Sequence, residues 1–327
     1  MQRFSKDPHV YEIGGVKLGG QPGEYPTVCC FSIFQESDKL FDKGSRRKGF
    51  NETRAEELLK TTEKMWVETG VPAMADVIAS PGEKFNKYVD FVTSVSCLPF
   101  CIDAISMKTK IEGAAYCAQK GLLDRMFYNS ITVWADDLAT EIKEIANIGV
   151  KHVLLVAFDQ NDQTPNGRIT GAQKLLNAIE QAGAKFETII VDTTTLNAPA
   201  NALCGIANRM IKEKWGFATA SSPSNGSYME FKRIKELLGV KAWVGFDAAL
   251  EALSAFYFHD LIFTGPIAGA QRVMTAVALA DSFLATTMYA ETRQLPKDPN
   301  HPLTKLFPQF MDQLKVAWDK PSELKKL

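Results

Sequence analysis

The sequence predicts an α/β fold, a single (β/α)8 barrel with residues 1–327 as one domain. Three observations predict it. Short apolar runs alternate eight times with segments of helical periodicity, which implies a parallel sheet with helical crossovers. No long linker divides the units, and 327 residues suffice for one large barrel. A polar residue stands at or just past the C-terminal end of most of these runs, the rim on which parallel barrels carry their sites. An open doubly wound sheet is the runner-up. It would need a glycine-rich first turn, and neither GxGxxG after a strand nor GxxxxGK[ST] occurs.

The elements follow in order. Residues 10–26, rich in Gly and Pro with a short alternating segment, read as a hairpin at the barrel bottom. Residues 27–34 are the first barrel strand, and the charged stretch 35–52 a long loop. Residues 53–69 are helical, with Leu58, Leu59, Met65 and Trp66 near helical spacing. Residues 73–78 form the second strand, and Pro81 opens the next helix, which runs through Phe85, Tyr88, Val89 and Val92. The unit then recurs: strand 100–105 and helix 108–121, strand 126–131 and helix 135–148, strand 152–158 and helix 170–182. Gly121, Gly149 and Gly183 stop these three helices. The stretch 186–227 supplies the sixth strand, a helix, the seventh strand and the turn Ser221-Ser222-Pro223-Ser224-Asn225-Gly226. Helices at 227–238 and 247–258, an eighth strand at 261–264 and a long apolar helix at 268–290 complete the barrel. The Pro-rich tail 295–327 carries one short amphipathic helix.

Composition narrows function by exclusion. Hydrophobic residues make up 46% and charged residues 23%, with net charge −1. This gives no electrostatic case for nucleic acid or a membrane surface. No apolar run approaches about 20 residues, so no membrane-spanning helix is expected. The N-terminus lacks the apolar core of a signal peptide. Six cysteines, mostly within apolar segments and without zinc-site spacing, read as buried thiols in a reducing, cytoplasmic setting.

The strand ends supply the site candidates: Asp76, Asp103, Asn129, Asp159, Asp192 and Asn225. The set holds carboxylates and amides but no histidine or cysteine, which disfavours Ser-His and Cys-His hydrolases. Such a set suits Mg²⁺ or Ca²⁺. It equally suits a neutral heterocycle with adjacent N–H donors, such as a pterin, whose N3–H and 2-amino group one carboxylate can accept together. A pair of carboxylates also fits a glycosidase, although aromatic platforms are few; Tyr128 and Tyr228 are near, and each can be read as packing. Taken singly, each residue is as readily a helix cap as a ligand contact.

Residues 13–27, IGGVKLGGQPGEYPT, followed by SIF at 32–34, resemble the start of the H subunit of tetrahydromethanopterin methyltransferase and its bacterial relatives, the methyl-corrinoid:tetrahydrofolate methyltransferases. CIDAIS, FYNSI, IIVDTTTL and SPSNG resemble strand-end motifs of the wider pterin-binding barrel group. The resemblance implies methyl transfer from a corrinoid (cobalamin-type) cofactor, carried by a corrinoid protein, to N5 of tetrahydrofolate. It implies a pterin bound by Asp103, Asn129 and Asp192, with Asp76 matching an acidic residue after the second strand. Asn225 would be the catalytic group near N5. Asp159 and Ser222 complete the expected substrate-binding set, and no metal is expected at the rim. Pro223 before Asn225 and Thr193 after Asp192 depart from the group's pattern. No Asp-x-His-x-x-Gly cobalamin signature occurs, so the chain is not expected to carry the corrinoid itself. A homodimer through helix 268–290, with no nucleic acid and no membrane, is the expected assembly. A tetrahydromethanopterin-dependent enzyme and a metal-dependent lyase or aldolase are the alternatives.

Overall fold

The computed structural model describes residues 3–35, 38–41 and 49–319. Parts of the expected loop 35–52, and the end of the tail with Pro321, lie outside the described residues. Ten strands and twelve α-helices are present among those described. Strands β1 (Val10–Ile13) and β2 (Val16–Gly19) form an antiparallel hairpin. The other eight close a parallel barrel in the order β10, β3, β4, β5, β6, β7, β8, β9. Their ranges are β3 Val28–Ile33, β4 Ala73–Ile78, β5 Phe100–Asp103, β6 Met126–Thr132, β7 His152–Val156, β8 Thr188–Asp192, β9 Ala218–Ser221 and β10 Leu261–Pro266. The expected (β/α)8 barrel is therefore the observed one, with hairpin and C-terminal helices in place.

Local chemistry fixes the crossovers. Helix α1 (Glu52–Thr69) starts at Asn51, whose side chain accepts from Arg54 N–H, and stops at Gly70 in the left-handed region. Helix α4 (Leu138–Ile148) is bracketed in the same way by Asp137 and Gly149. Helices α2 (Asn86–Val95), α3 (Met107–Gln119), α5 (Pro165–Gln181) and α6 (Asn201–Trp215) make the remaining regular crossovers. The inward faces pack on the strands in one large apolar cluster that includes Leu59, Val89, Ile142 and Leu175, except for α6, whose Ile211 packs with Val191 in a smaller one.

The hairpin seals the bottom of the barrel. Ile13, Val16 and Leu18 pack with Val28, Met74, Phe127, Ile190 and Leu261 in a second cluster. Gly14 and Gly15 form its tight turn at φ +54° and +86°. A Cβ on Gly14 would come within 2.8 Å of Arg125 Cβ, so the turn needs glycine for space as well as for φ. Gly14 N–H donates to Asp124 O, and His9 N–H to Gly216 O, which ties the hairpin to the strand-entry side.

Three expectations are corrected. The stretch after β9 is not a turn: Pro223 occupies the first turn of helix α7 (Pro223–Met229), where its missing N–H costs nothing. Helices α8 (Phe231–Leu238) and α9 (Val240–Phe256) follow without a break, so the second starts seven residues earlier than its periodicity suggested. The tail has two described helices, α11 (Pro302–Leu306) and α12 (Pro308–Asp319).

Helix α10 (Ala270–Thr292) follows a 3-10 turn at Ile267–Gly269. Together, Ile267–Thr292 is long and apolar enough to cross a membrane, with hydropathy 1.3 in its best window, so the expectation that no segment reaches that length is corrected. In this fold 61% of that window is buried, as one face packs in the main apolar cluster through Val273, Met274 and Val277. The helix also completes the closure. Asp281 accepts from Thr27 N–H at 3.0 Å and from Thr27 Oγ1 at 2.9 Å, just before the first barrel strand. Burial pushes the Asp281 carboxyl up to about 7 against these two hydrogen bonds.

Candidate active site

The C-terminal mouth of the barrel holds a cavity of about 510 Å³. Six of the seven expected residues line it: Asp76, Asp103, Asn129, Asp192, Ser222 and Asn225. Parallel register explains the convergence. Asp76 and Asn129 end inward-facing positions of β4 and β6, and Asp103 and Asp192 are the last residues of β5 and β8. Ser222 occupies the N-cap position of α7 without a side-chain capping hydrogen bond, and Asn225 lies in the first turn with an exposed side chain.

Asp159 is the exception, and its expected place in the site is corrected. It follows β7, but its carboxylate accepts from Asn161 N–H at 2.9 Å and pairs with Lys174 at 3.1 Å. These contacts, the Asn161 amide first, hold its carboxyl below the usual range. Asp159 closes its own loop as an Asx turn, and the N-cap position of α5 belongs to Thr164, so Asp159 is neither a ligand contact nor a helix cap.

The floor is a short polar chain. Cys101 Sγ donates to Asp76 Oδ1 at 2.8 Å, and Asn129 Nδ2 approaches the same oxygen at 3.5 Å. Burial, then the neighbouring Asp103, pushes Asp76 far above the carboxylate range. Burial and a neighbouring acid both favour the protonated form of Asp76. Burial also raises Asp103, to about 6, with Lys110 opposing. Asp192 is only 6% exposed and is pushed up to about 6 by burial; the Thr194 N–H, at 2.6 Å from Oδ1, and Arg168 oppose it. The cavity thus gathers three carboxyl groups, all raised, and the three amides Gln35, Asn129 and Asn225.

Lys110 supports this floor from behind. Its ammonium pairs with Glu141 at 2.9 Å and donates to the Ser130 carbonyl. Tyr128 OH donates to Glu141 at 2.6 Å, so Tyr128 is packing, as one of its two readings held. Tyr228 instead lines the cavity.

Sequence reasoning missed one wall. Cys30, Ser32 and Gln35 after and along β3, and Phe263, Gly265 and Pro266 of β10, also line the cavity. Ser32 Oγ is buried without a hydrogen-bond partner in the described structure, an open donor facing the space where a ligand would sit. Polar residues do stand at the end of β3, Ser32 and Gln35, but they are not singled out among the strand-end candidates. Phe263, Gly265 and Pro266 carry no polar side chain, so only barrel closure identifies them.

The serine cluster divides into structural and lining roles. Ser221 donates to Asn201, and Ser224 to the Phe263 carbonyl at 2.8 Å, which docks α7 on β10. At Gly226 a Cβ would meet Ala198 N at 2.8 Å; the missing side chain lets α7 lie backbone-to-backbone on the loop after β8. Among the described residues no group of three or more His, Cys, Asp and Glu is arranged to hold a metal ion.

The family described as "Tetrahydromethanopterin S-methyltransferase MtrH subunit" matches residues 6–293. The chain belongs to this family. The H subunit of tetrahydromethanopterin S-methyltransferase from Methanothermobacter marburgensis is 31% identical over 318 residues, covering 94% of this chain and all of that protein. The H subunit of a putative mtx methyltransferase from Methanosarcina mazei is 29% identical over 300 residues, covering 87% and 94%. Among solved structures, Xanthomonas albilineans dihydropteroate synthase superposes with a TM-score of 0.57 at 12% identity, covering 88% of this chain and all of that one. The Coxiella burnetii enzyme with pteroic acid gives 0.54 at 13% identity, covering 87% and 99%. At such identities these two show the fold alone.

As an MtrH-family member the chain is a methyltransferase-family protein; the family and its relatives carry the name of a tetrahydromethanopterin enzyme, not a tetrahydrofolate one. The expected assembly is corrected as well. These relatives are each named as an H subunit, one part of a larger enzyme, which overturns a self-contained homodimer. The accompanying absence of a membrane loses its basis with the length of Ile267–Thr292.

Proposed function

We propose that this chain exchanges a methyl group between N5 of a reduced pterin of the tetrahydromethanopterin type and a corrinoid carried by another protein. The observation that carries this reading is the cavity's donor-acceptor balance. Asp103, Asp192, Asn129 and Asn225 face one space whose lining, among the described residues, has no Lys, Arg or His. Ionised carboxylates without cations call for a ligand rich in N–H donors, and a pterin's N3–H and 2-amino edge offers two side by side. The relatives' printed substrate, tetrahydromethanopterin, supports the same pterin head.

In this reading Asp192 accepts from the N3 and 2-amino edge, while Asp103 and Asn129 hold the remaining ring nitrogens. These contacts orient a flat ring, and orientation alone can remove about 7–11 kcal/mol of a bimolecular barrier. Asp76, whose protonated form burial and Asp103 favour, would serve as a donor or spacer in the floor. Asn225 stands beyond the strand ends, on the rigidly docked α7, where the reacting edge would lie. Its exposed amide would hydrogen-bond N5, where charge changes in either direction of transfer. The corrinoid supplies the methyl-carrying cobalt chemistry. The small Ser222 and Gly265 leave room at the rim for its approach, and the residues present offer no cobalt ligand set of their own.

Calorimetric titration with tetrahydromethanopterin and, separately, tetrahydrofolate tests the reading. Saturable binding of the first is expected, tighter than that of the second. Binding of neither would end the pterin assignment.

A further inference from the structure

Arg168, in the first turns of α5, is fully buried. Its guanidinium donates to four main-chain carbonyls. Nε and Nη2 reach Thr193 O and Thr194 O, the latter at 3.1 Å, in the loop after β8. Nη1 reaches Gln163 O at 2.6 Å and Thr164 O at 3.2 Å in the loop before its own helix. Among the described residues no carboxylate forms an ion pair with it. A buried guanidinium stays charged, and carbonyl dipoles satisfy its N–H groups without cancelling that charge.

The loop it grips is the one that sets Asp192. Thr194 sits at φ +55°, a conformation unusual for a β-branched residue. In that conformation its N–H donates to Asp192 Oδ1 at 2.6 Å. Thr193 is fixed independently, by its N–H on Ala220 O at 2.9 Å and its hydroxyl on Asn208 at 2.9 Å. The other titratable groups around Asp192 are the buried Cys204 thiol of α6, which reaches Thr194 O at 3.4 Å, and Asp76 and Asp103 across the cavity. Asp159 is turned away onto Lys174. Arg168 is thus the cation beside Asp192, in a cavity whose lining has none among the described residues.

We propose that Arg168 is a positioning residue for Asp192: it pins the Thr193–Thr194 turn that orients the carboxylate, and its charge keeps that carboxylate in the form that accepts the pterin's N–H groups. The second half rests on the pterin reading given above; the first does not. The direction of the Asp192 shift agrees, since burial raises its carboxyl and Arg168 opposes the rise.

The test follows the Asp192 side chain by carbon-13 NMR titration in the ligand-free protein, and tetrahydromethanopterin affinity as a function of pH. Arg168→Gln removes the charge and keeps an amide donor. It is expected to raise the Asp192 midpoint by about one pH unit, within the range for loss of a nearby opposite charge, and to move the acid limb of pterin binding by the same amount. Arg168→Lys keeps the charge and should leave the midpoint within about 0.3 unit. A folded Arg168→Gln protein with an unmoved Asp192 midpoint overturns the inference. Should that variant not fold, Arg168→Lys decides alone: a full-unit rise overturns the inference, and a midpoint near the original supports it. A midpoint that moves while pterin affinity stays indifferent to it keeps Arg168's hold on Asp192 and removes Asp192 from the pterin.

Discussion

The two ends of the barrel use the same eight strands to opposite effect. At the bottom, Ile13 and Leu18 of the hairpin are fully buried against Met74, Ile190 and Leu261, and each such side chain contributes about 1.5–3 kcal/mol. At the mouth, closure buries Asp76 and Asp192, half-buries Asp103, and raises all three carboxyls. An acid whose folded pKa is raised contributes stability only while protonated. That contribution is complete below the unfolded value near 3.8 and is lost as pH rises through about 6. At pH 7 the mouth therefore works against the fold that the bottom stabilises. Acids kept under this strain are candidates for function, because nothing in packing alone retains them.

Substitutions at each end should separate along this line. Leu18→Ala is expected to lower unfolding free energy by about 2–5 kcal/mol in urea titrations while the folded fraction turns over normally. Lost turnover at unchanged stability would break the division of labour. Asn225→Ala should do the reverse, slowing single-turnover methyl transfer from methylcobalamin by about 10- to 1000-fold at saturating pterin, with stability intact and pterin affinity falling much less. A normal saturated rate with weakened affinity would make Asn225 a binding residue only.

Asp192→Asn sharpens the contrast, because its two effects have opposite signs. Pterin binding should weaken by about 1.5–3 kcal/mol, as a charged acceptor becomes half donor. Stability at pH 7 should meanwhile rise by about 1–3 kcal/mol, the order of a two-unit shift, and the gain should vanish near pH 4. Calorimetry with ligand and denaturation without it read the two separately; a stability loss at pH 7 contradicts the account of the mouth. The smallest effect is expected from metal removal. Exhaustive chelation should leave activity unchanged, and activity restored by added Mg²⁺, Mn²⁺ or Zn²⁺ after chelation would favour the lyase alternative.

Much of this was legible in the sequence for reasons that are local. Helix stops such as Gly149 and the apolar strands beside them depend on near neighbours, so periodicity and caps reveal them. Asp76, Asp103, Asn129 and Asp192 were found because a parallel barrel sends every strand end to one rim. The same rule overreached at Asp159, whose direction is decided by Asn161 N–H and Lys174 rather than by position. It overlooked Ser32, Phe263 and Gly265, because β3 and β10 meet only on closure, more than 200 residues apart in the chain. The turn at 221–226 hid a helix whose signal, proline at its start, was present but outweighed by the serines and glycine around it. The tetrahydrofolate expectation finds no support in the relatives' names, for a different reason. In the proposed reading Asp103, Asn129 and Asp192 would face a pterin head that both cofactors share, so no residue singled out in the sequence could choose between them.

The Thr27–Asp281 clasp has a consequence for synthesis. Its partners are 254 residues apart, and β3, made early, pairs with β10, made late. Until β10 has left the ribosome, β3 presents one unpaired edge, a template for non-native pairing. Barrel closure is therefore close to the last event in this chain's production, as such long-range contacts are slow to form. Nascent chains halted before residue 261 should be cut readily by protease around 28–33, and chains extended past Asp281 should resist.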